Sequence, residues 1–388
     1  MKIQIDGTST DNKGAELMLY AVLEQIEKKY PEATVYFNDK TPDIRPHGIE
    51  TSIRFIKPLR LILGHYPWAA LRKLKLPYLR FTGFYPEKKI DLVLDASGFR
   101  LGDQWNRSDE FLKNMEYYYH TLKTQGTRIV LLPQAFGPFE TENAKMSAQI
   151  IGRYADLIFA REAYSEKHLS EAIGKSDNIF RFPDFTNAVE GIFPDDLENL
   201  KGGIAIIPNE KMITHTGLAP ENYLKKLKLM ISELDKLGKE FFLLNHGGKH
   251  DLDICKILNR QLEKRIPIIN NRPARQLKGI IGTSFLVISS RFHGIASALN
   301  QGVPCLATSW SHKYRLLYDD YQLGDYIIDP EEEANITRQK IAALLDPEQY
   351  KETRNHLLVQ SEIQKEQTET MWQHVWKILK EHNITHSI

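Results

Sequence analysis

Short apolar runs alternate with amphipathic stretches along most of the chain. Lys2–Ile5 reads as a strand, a polar loop follows, and Leu17, Tyr20, Ala21, Leu23, Ile26 and Tyr30 then recur at helical spacing. Further strands are predicted at Thr34–Phe37, Asp91–Leu94, Arg128–Leu132 and Leu157–Ala160, with helices over Glu110–Thr124 and Glu140–Tyr154. After a breaker zone at Phe182–Gly203, rich in Pro and Gly, the pattern restarts. It gives strand Ile204–Ile207, helix Pro220–Leu237, strand Glu240–Leu244 and helix Asp251–Lys264. Ile266–Ile269 is a weaker strand that Pro267 confines to a sheet edge. Strand Phe285–Ser289, helix Gly294–Asn300 and strand Pro304–Thr308 complete it, and the tail from Pro347 reads as one long helix.

Strands alternating with helices predict parallel sheets covered on both faces. The expected class is α/β, with two Rossmann-like doubly wound domains over 1–190 and 200–346 and a helical tail over 347–388. Two such domains closed by a C-terminal helix resemble the GT-B arrangement. In open sheets of this kind ligands bind beyond the carboxyl ends of the strands.

Composition narrows the classes. A chain of 388 residues, 42% hydrophobic and 26% charged, buries ample core and is neither disordered nor fibrous. A net charge of +1 argues against a nucleic-acid partner. Cys255 and Cys305, both in apolar contexts, read as buried free thiols. No apolar run reaches a membrane-spanning length. Asp6 and Asp11 interrupt the opening residues where a leader would be apolar, so a cytoplasmic location is expected.

The most informative segment is Val287–Ser309. An apolar strand ends at Ser289-Ser290, a turn holds Arg291-Phe292-His293, Gly294 opens a helix and Gly302 stops it. A guanidinium and an imidazole thus stand beside the free N–H groups of a helix start, which together suit an anion.

This stretch, SSRFHGIASALNQGVP, resembles the hallmark of the polysaccharide pyruvyl transferase family, and other segments follow in family order. Asn12 and Gly14 are similar to its Asn-x-Gly, Ser97-Gly98 stand at its glycine-rich turn, and Gln134 with Gly137-Pro138 resembles its Gln-x-x-Gly-Pro. Ala160-Arg161-Glu162 with Ser165, and Asp184 after Pro183, match further positions. The departure is Ser97-Gly98-Phe99 in place of a richer glycine run. The resemblance implies transfer of a pyruvyl group from phosphoenolpyruvate to a sugar of a cell-envelope polysaccharide or lipid-linked precursor, forming a cyclic ketal. It implies no metal or other cofactor. By it, Arg161 and Arg291 bind the donor from the two sides of the cleft, with Gly294 and Lys313. His293 protonates the enol carbon, a task suited to a group titrating near neutrality. Asn12, Gly14, Ser97, Gly98, Gln134 and His246 fall to the acceptor or the cleft.

The run His246-Gly-Gly-Lys-His250-Asp251-x-Asp253 has the residue types of a metal site, but its two glycines make it a loop against the cleft or solvent. Lys211, His215, His312 and Lys313 lie in loops after second-domain strands. A nucleotide-sugar glycosyltransferase is the enzyme alternative. Many such enzymes carry a ribose-binding Glu in the helix where this chain has Ser297. A dinucleotide oxidoreductase is disfavoured, since no Gly-x-Gly-x-x-Gly follows a strand. A non-catalytic polysaccharide-assembly subunit would have lost Arg161, Arg291 and His293, which are present.

From Thr51 to Pro86 stand seven basic residues and no acidic one, among seven Phe, Tyr and Trp residues, so the stretch carries +7 and the rest −6. Two readings fit: docking at the inner face of an anionic membrane, which would present a lipid-linked acceptor, or a cationic helix pair with its aromatics turned inward. The membrane reading predicts flotation of the protein with anionic vesicles and not with neutral ones; equal flotation with both would dismiss it.

Overall fold

The computed structural model describes residues 1–10, 12–37, 52–55, 90–309, 313–324 and 326–385. The basic stretch 51–86 lies outside the described residues except for the strand Ser52–Phe55, and His312 lies outside them altogether. The chain forms two compact units. The first comprises 1–10, 18–186 and 367–388; the second comprises 11–17 and 187–366.

The first unit holds strands β1 (Lys2–Asp6), β2 (Thr34–Phe37), β3 (Ser52–Phe55), β4 (Leu92–Asp95), β5 (Arg128–Gln134), β6 (Leu157–Ala160) and β7 (Ile179–Arg181). They lie parallel in the order β3-β2-β1-β4-β5-β6-β7, so the chain reverses its direction of growth between β1 and β4. Helices α1 (Lys13–Lys29), α2 (Asp109–Thr124), α3 (Glu142–Tyr154) and α4 (Ala163–Ile173) run between them. The second unit repeats the plan with β8 (Ile204–Ile207), β9 (Phe241–Leu244), β10 (Ile268–Ile269), β11 (Leu286–Ser289), β12 (Cys305–Thr308) and β13 (Ile327–Ile328). Their order is β10-β9-β8-β11-β12-β13, all parallel, with the reversal between β8 and β11. Its longer helices are α5 (Pro220–Leu234), α6 (Lys249–Gln261), α7 (Ala274–Gly282), α8 (Phe292–Leu299), α9 (Lys313–Asp320) and α10 (Ala334–Leu345). The last helix, α11 (Pro347–Thr385), contributes its residues to Glu366 to the second unit and those from Gln367 to the first. The expected α/β class of doubly wound sheets is what the structure shows. No helix among the described residues is long and apolar enough to cross a membrane.

The central strands IAII, FFLL, LVIS and CLAT are buried at every position, as parallel strands covered on both faces must be. Ile268–Ile269 is an edge strand, in keeping with Pro267. Both cysteines are buried free thiols, each pushed up to about 12 first by desolvation. Helix α3 starts at Glu142 rather than at Glu140. The Asp103 carboxylate takes the backbone N–H groups of Glu140 and Thr141, and the Thr141 hydroxyl accepts from Ala144 N as the N-cap.

Helix α8 begins at Phe292, not at Gly294, which makes Arg291 its N-cap and puts His293 inside its first turn. It ends as expected at Gly302: Val303 N reaches Ala298 O at 2.9 Å and Gly302 N reaches Leu299 O at 3.1 Å, with Gly302 at φ 71°. This is the paired bonding of a left-handed helix stop. A β-carbon on Gly302 would also stand 2.5 Å from Leu358, a half-exposed side chain able to move away. The backbone therefore sets the penalty. Gly302→Ala should lower unfolding stability by about 1–2 kcal/mol, read from urea melts, and Leu358→Ala in the same chain should not restore it.

Candidate functional site

The carboxyl ends of β8 and β11, where the second sheet reverses, are cross-tied by buried polar groups. The Ser290 carbonyl accepts from Asn209 Nδ2 and from Tyr314 Oη, each at 2.8 Å. Its hydroxyl bonds to Tyr223 Oη at 2.6 Å and to the Thr308 hydroxyl. Ser289 Oγ in turn accepts from Arg291 N and donates to Arg291 O, both at 3.1 Å. A β-carbon on Gly294 would meet that hydroxyl at 2.6 Å, so glycine is what lets the first turn of α8 close over Ser289.

On this base sits a cationic group. Arg291 reaches Asp251 Oδ2 with Nε and with Nη2, each at 2.6 Å, while Asp251 Oδ1 accepts from Glu210 N at 3.0 Å. Asp251 is fully buried and the Arg291 side chain is 18% exposed. Gly247 lies against the pair: a β-carbon there would fall 2.3 Å from both Arg291 Nη2 and Asp251 Oδ2. His246, one residue earlier, is buried. Desolvation first, then the charges of His293 and Arg291, push its imidazole down to about 3, so it is neutral at physiological pH. The start of α1 belongs to the same unit. Gly14 packs on the His293 ring, where a β-carbon would come within 2.2 Å of Nδ1, and Asn12 Oδ1 caps Gly14 N at 2.9 Å. Glu16 anchors this segment by accepting from Ala274 N at 3.0 Å. Lys313 opens α9 rather than lying in a loop, its Nζ 5.5 Å from the Phe292 ring centre.

The structure thus gathers Asn12, Gly14, His246, Arg291, His293, Gly294 and Lys313, from four separate stretches of sequence, in one unit. Asp251 is the partner that sequence reasoning passes over. Among the sequence motifs it figures only as a conceivable metal ligand; the available signal is its position one helical turn after the His246-Gly-Gly loop. Lys211 opens a short helix, Lys211–Thr214, rather than lying in a loop, and pairs with Glu210 at 3.5 Å, while His215 lies on an exposed turn beside Thr214 at 2.8 Å.

The remaining motif residues collect in the first unit. Arg161 is buried between Glu162 at 3.4 Å and Asp184 at 3.5 Å, and its backbone N–H donates to Gln134 O at 3.1 Å. Ser165 bonds Glu162 and receives Phe136 N at 2.7 Å, so the Gln-x-x-Gly-Pro and Ala-Arg-Glu segments form one structure. At the reversal of this sheet, Ser97 donates through N at 3.0 Å and through Oγ to Asp95, which pairs with Arg100 at 3.0 Å. Gly98, at φ 70°, packs on Met18. Asp6, the last residue of β1, accepts from Gln4 Nε2 at 2.8 Å and Tyr118 Oη at 2.6 Å. Burial first, then Asp95, raises its pKa. Sequence reasoning misses this network too. The readable signal is that the two strands flanking the reversal, KIQID and DLVLD, both end on aspartate.

The depressed pKa of His246 has a thermodynamic consequence. In the unfolded chain the imidazole takes up a proton below about 6.5, but in the fold only near 3. Its contribution is therefore constant above pH 6.5 and turns increasingly destabilising as the pH falls from 6.5 toward 3, by up to about 1.4 kcal/mol per unit. His246→Gln should flatten the loss of stability between pH 7 and pH 5 in urea melts; an unchanged slope would show that the imidazole charges freely in the fold.

No curated protein matches this chain by sequence. Solved structures do match over nearly its whole length. Staphylococcus aureus MnaA, solved with UDP, is 12% identical, covers 98% of this chain and 97% of its own, and superposes with a TM-score of 0.61. The UDP-GlcNAc 2-epimerase of Neisseria meningitidis, bound to UDP-GlcNAc, is 13% identical over 97% of this chain and 100% of its own, with a TM-score of 0.59. Anabaena HepE in complex with UDP and glucose is 14% identical over 98% and 100%, with a TM-score of 0.58. At such identities the likeness shows the fold, that of the two-domain GT-B class. The family model for polysaccharide pyruvyl transferase matches residues 12–312, a span that holds Asn12, Arg161, Arg291 and His293. The chain belongs to the polysaccharide pyruvyl transferase family.

Proposed function

We propose that the protein transfers the pyruvyl group of phosphoenolpyruvate to a sugar of a polysaccharide or lipid-linked precursor, forming a cyclic ketal and releasing phosphate. The observation that carries this reading is the spacing of Arg291 and His293. Two positions apart, they put a fixed guanidinium at the N-cap and an imidazole in the first turn of α8, at the reversal of a doubly wound sheet.

The chemistry asks for both. Phosphate and carboxylate lie close together on the donor, and Arg291 with the start of α8 offers charge-assisted hydrogen bonds to an anion. Lys313, at the start of α9, is the further donor cation in this unit. His293 gives a proton to the methylene carbon of the enol, which becomes a methyl group. The adjoining carbon then takes oxocarbenium character and accepts a sugar hydroxyl, whose proton returns to His293. Cleavage of its bond to the phosphate oxygen frees phosphate, and a second hydroxyl of the same sugar closes the ring, its proton leaving with the phosphate.

Calorimetric titration of phosphoenolpyruvate, alongside a panel of nucleotide sugars, tests this directly. Wild-type protein should bind phosphoenolpyruvate and Arg291→Ala should bind it at least about 100-fold more weakly. His293→Ala should bind it within a few-fold of wild type, yet release phosphate in the presence of acceptor about 10²–10⁴-fold more slowly. Binding of a nucleotide sugar with no response to phosphoenolpyruvate would replace this reading with that of a glycosyltransferase lacking the ribose-binding glutamate.

A further inference from the structure

We infer that Asp251 is a positioning residue: it fixes the direction in which Arg291 presents its guanidinium to an anionic ligand. The inference rests on the function proposed above and adds to it a residue of the same site.

Three observations lead there. The first is the use of the carboxylate. Asp251 is fully buried and commits one oxygen to each neighbour, Oδ1 to Glu210 N and Oδ2 to the Nε and Nη2 edge of Arg291. A carboxylate held by the backbone N–H of Glu210, in the loop after β8, is a fixed point, and the guanidinium docked against it has one orientation. The second is what the pairing leaves over. Among the described residues no other group accepts from this guanidinium, so Nη1 and one hydrogen of Nη2 are left for a ligand. The side chain is still 18% exposed, so it is open to one. The third is Gly247. Any side chain at this position would push on Nη2 and on Oδ2 together, so the loop after β9 is shaped to the pair.

A purely stabilising role accounts poorly for this arrangement. Removing a carboxylate from water costs more than one partly exposed guanidinium returns, and apolar residues fill such places more favourably. Geometry is what the pair supplies. An arginine tethered through Nε presents a planar fork in one direction and loses less freedom when an anion arrives.

The test uses the full-length chain, two variants and two readouts. Asp251→Asn keeps the shape and removes the charge. Gly247→Ala keeps the charge and displaces the guanidinium, which guards against a variant that simply unfolds. In ¹H–¹⁵N spectra the Arg291 Nε–H signal, assigned by its loss in Arg291→Ala, should be resolved in wild type and should shift or broaden away in both variants. In turnover, KM for phosphoenolpyruvate should rise about 10–100-fold while kcat stays within about three-fold. An unchanged Nε–H signal and unchanged KM in both variants would overturn the inference, as would a loss confined to kcat. If wild type shows no response to phosphoenolpyruvate, the proposed function fails, and the Nε–H signal still decides whether Asp251 orients Arg291.

Discussion

A parallel strand that ends inside a protein leaves its last carbonyl beyond the ladder, and burial makes an unpaired carbonyl costly. At Ser290 that carbonyl is taken by side chains from two other elements, Asn209 after β8 and Tyr314 on α9, while the hydroxyl reaches Tyr223 on α5 and Thr308 at the end of β12. The same bonds that satisfy one residue thus tie together three strand ends and two helices. The next residue in the chain is Arg291. Its place is accordingly set by the sheet and not by a free loop, and the cationic group around it inherits that rigidity.

The two units share a topology and differ in what they put at its reversal. In the first, β1 and β4 both end on aspartate, and the carboxylates are embedded among Gln4, Tyr118, Ser97 and Arg100. In the second, the corresponding strands β8 and β11 lead to Asn209 and to Arg291 with His293, and the buried carboxylate of Asp251 is spent on Arg291. One plan therefore carries an acidic, hydroxyl-rich strand edge in one unit and a cationic edge in the other.

Much of this was legible in the chain. The buried strands of both sheets announce themselves as unbroken apolar runs, and Thr34–Phe37, Leu157–Ala160 and Ile204–Ile207 fall where the pattern puts them. What escaped has physical causes. Strand Ile179–Arg181 is a half-exposed edge and so has no apolar run to read. Helix Ala274–Gly282 carries Gly279, which reads as a breaker; there it is an approach surface, since a β-carbon would meet the Ile192 backbone at 2.3 Å. At the site, Arg291 and His293 were readable because their roles are local to one turn. Asp251 was not, because its meaning comes from a residue forty positions away, and spacing alone cannot show an ion pair formed by packing.

The membership of the units also sets an order of events. The first unit is unfinished without residues 367–388, whose Trp372 and Trp376 stack on each other and meet Phe185 and Tyr30 of its core. The second needs 11–17 and 187–366. During synthesis, then, the second body has all its parts before the first, although the first opens the chain. Completion of the first unit's core is thus tied to the far end of α11, where Trp372 packs edge-on against Phe185.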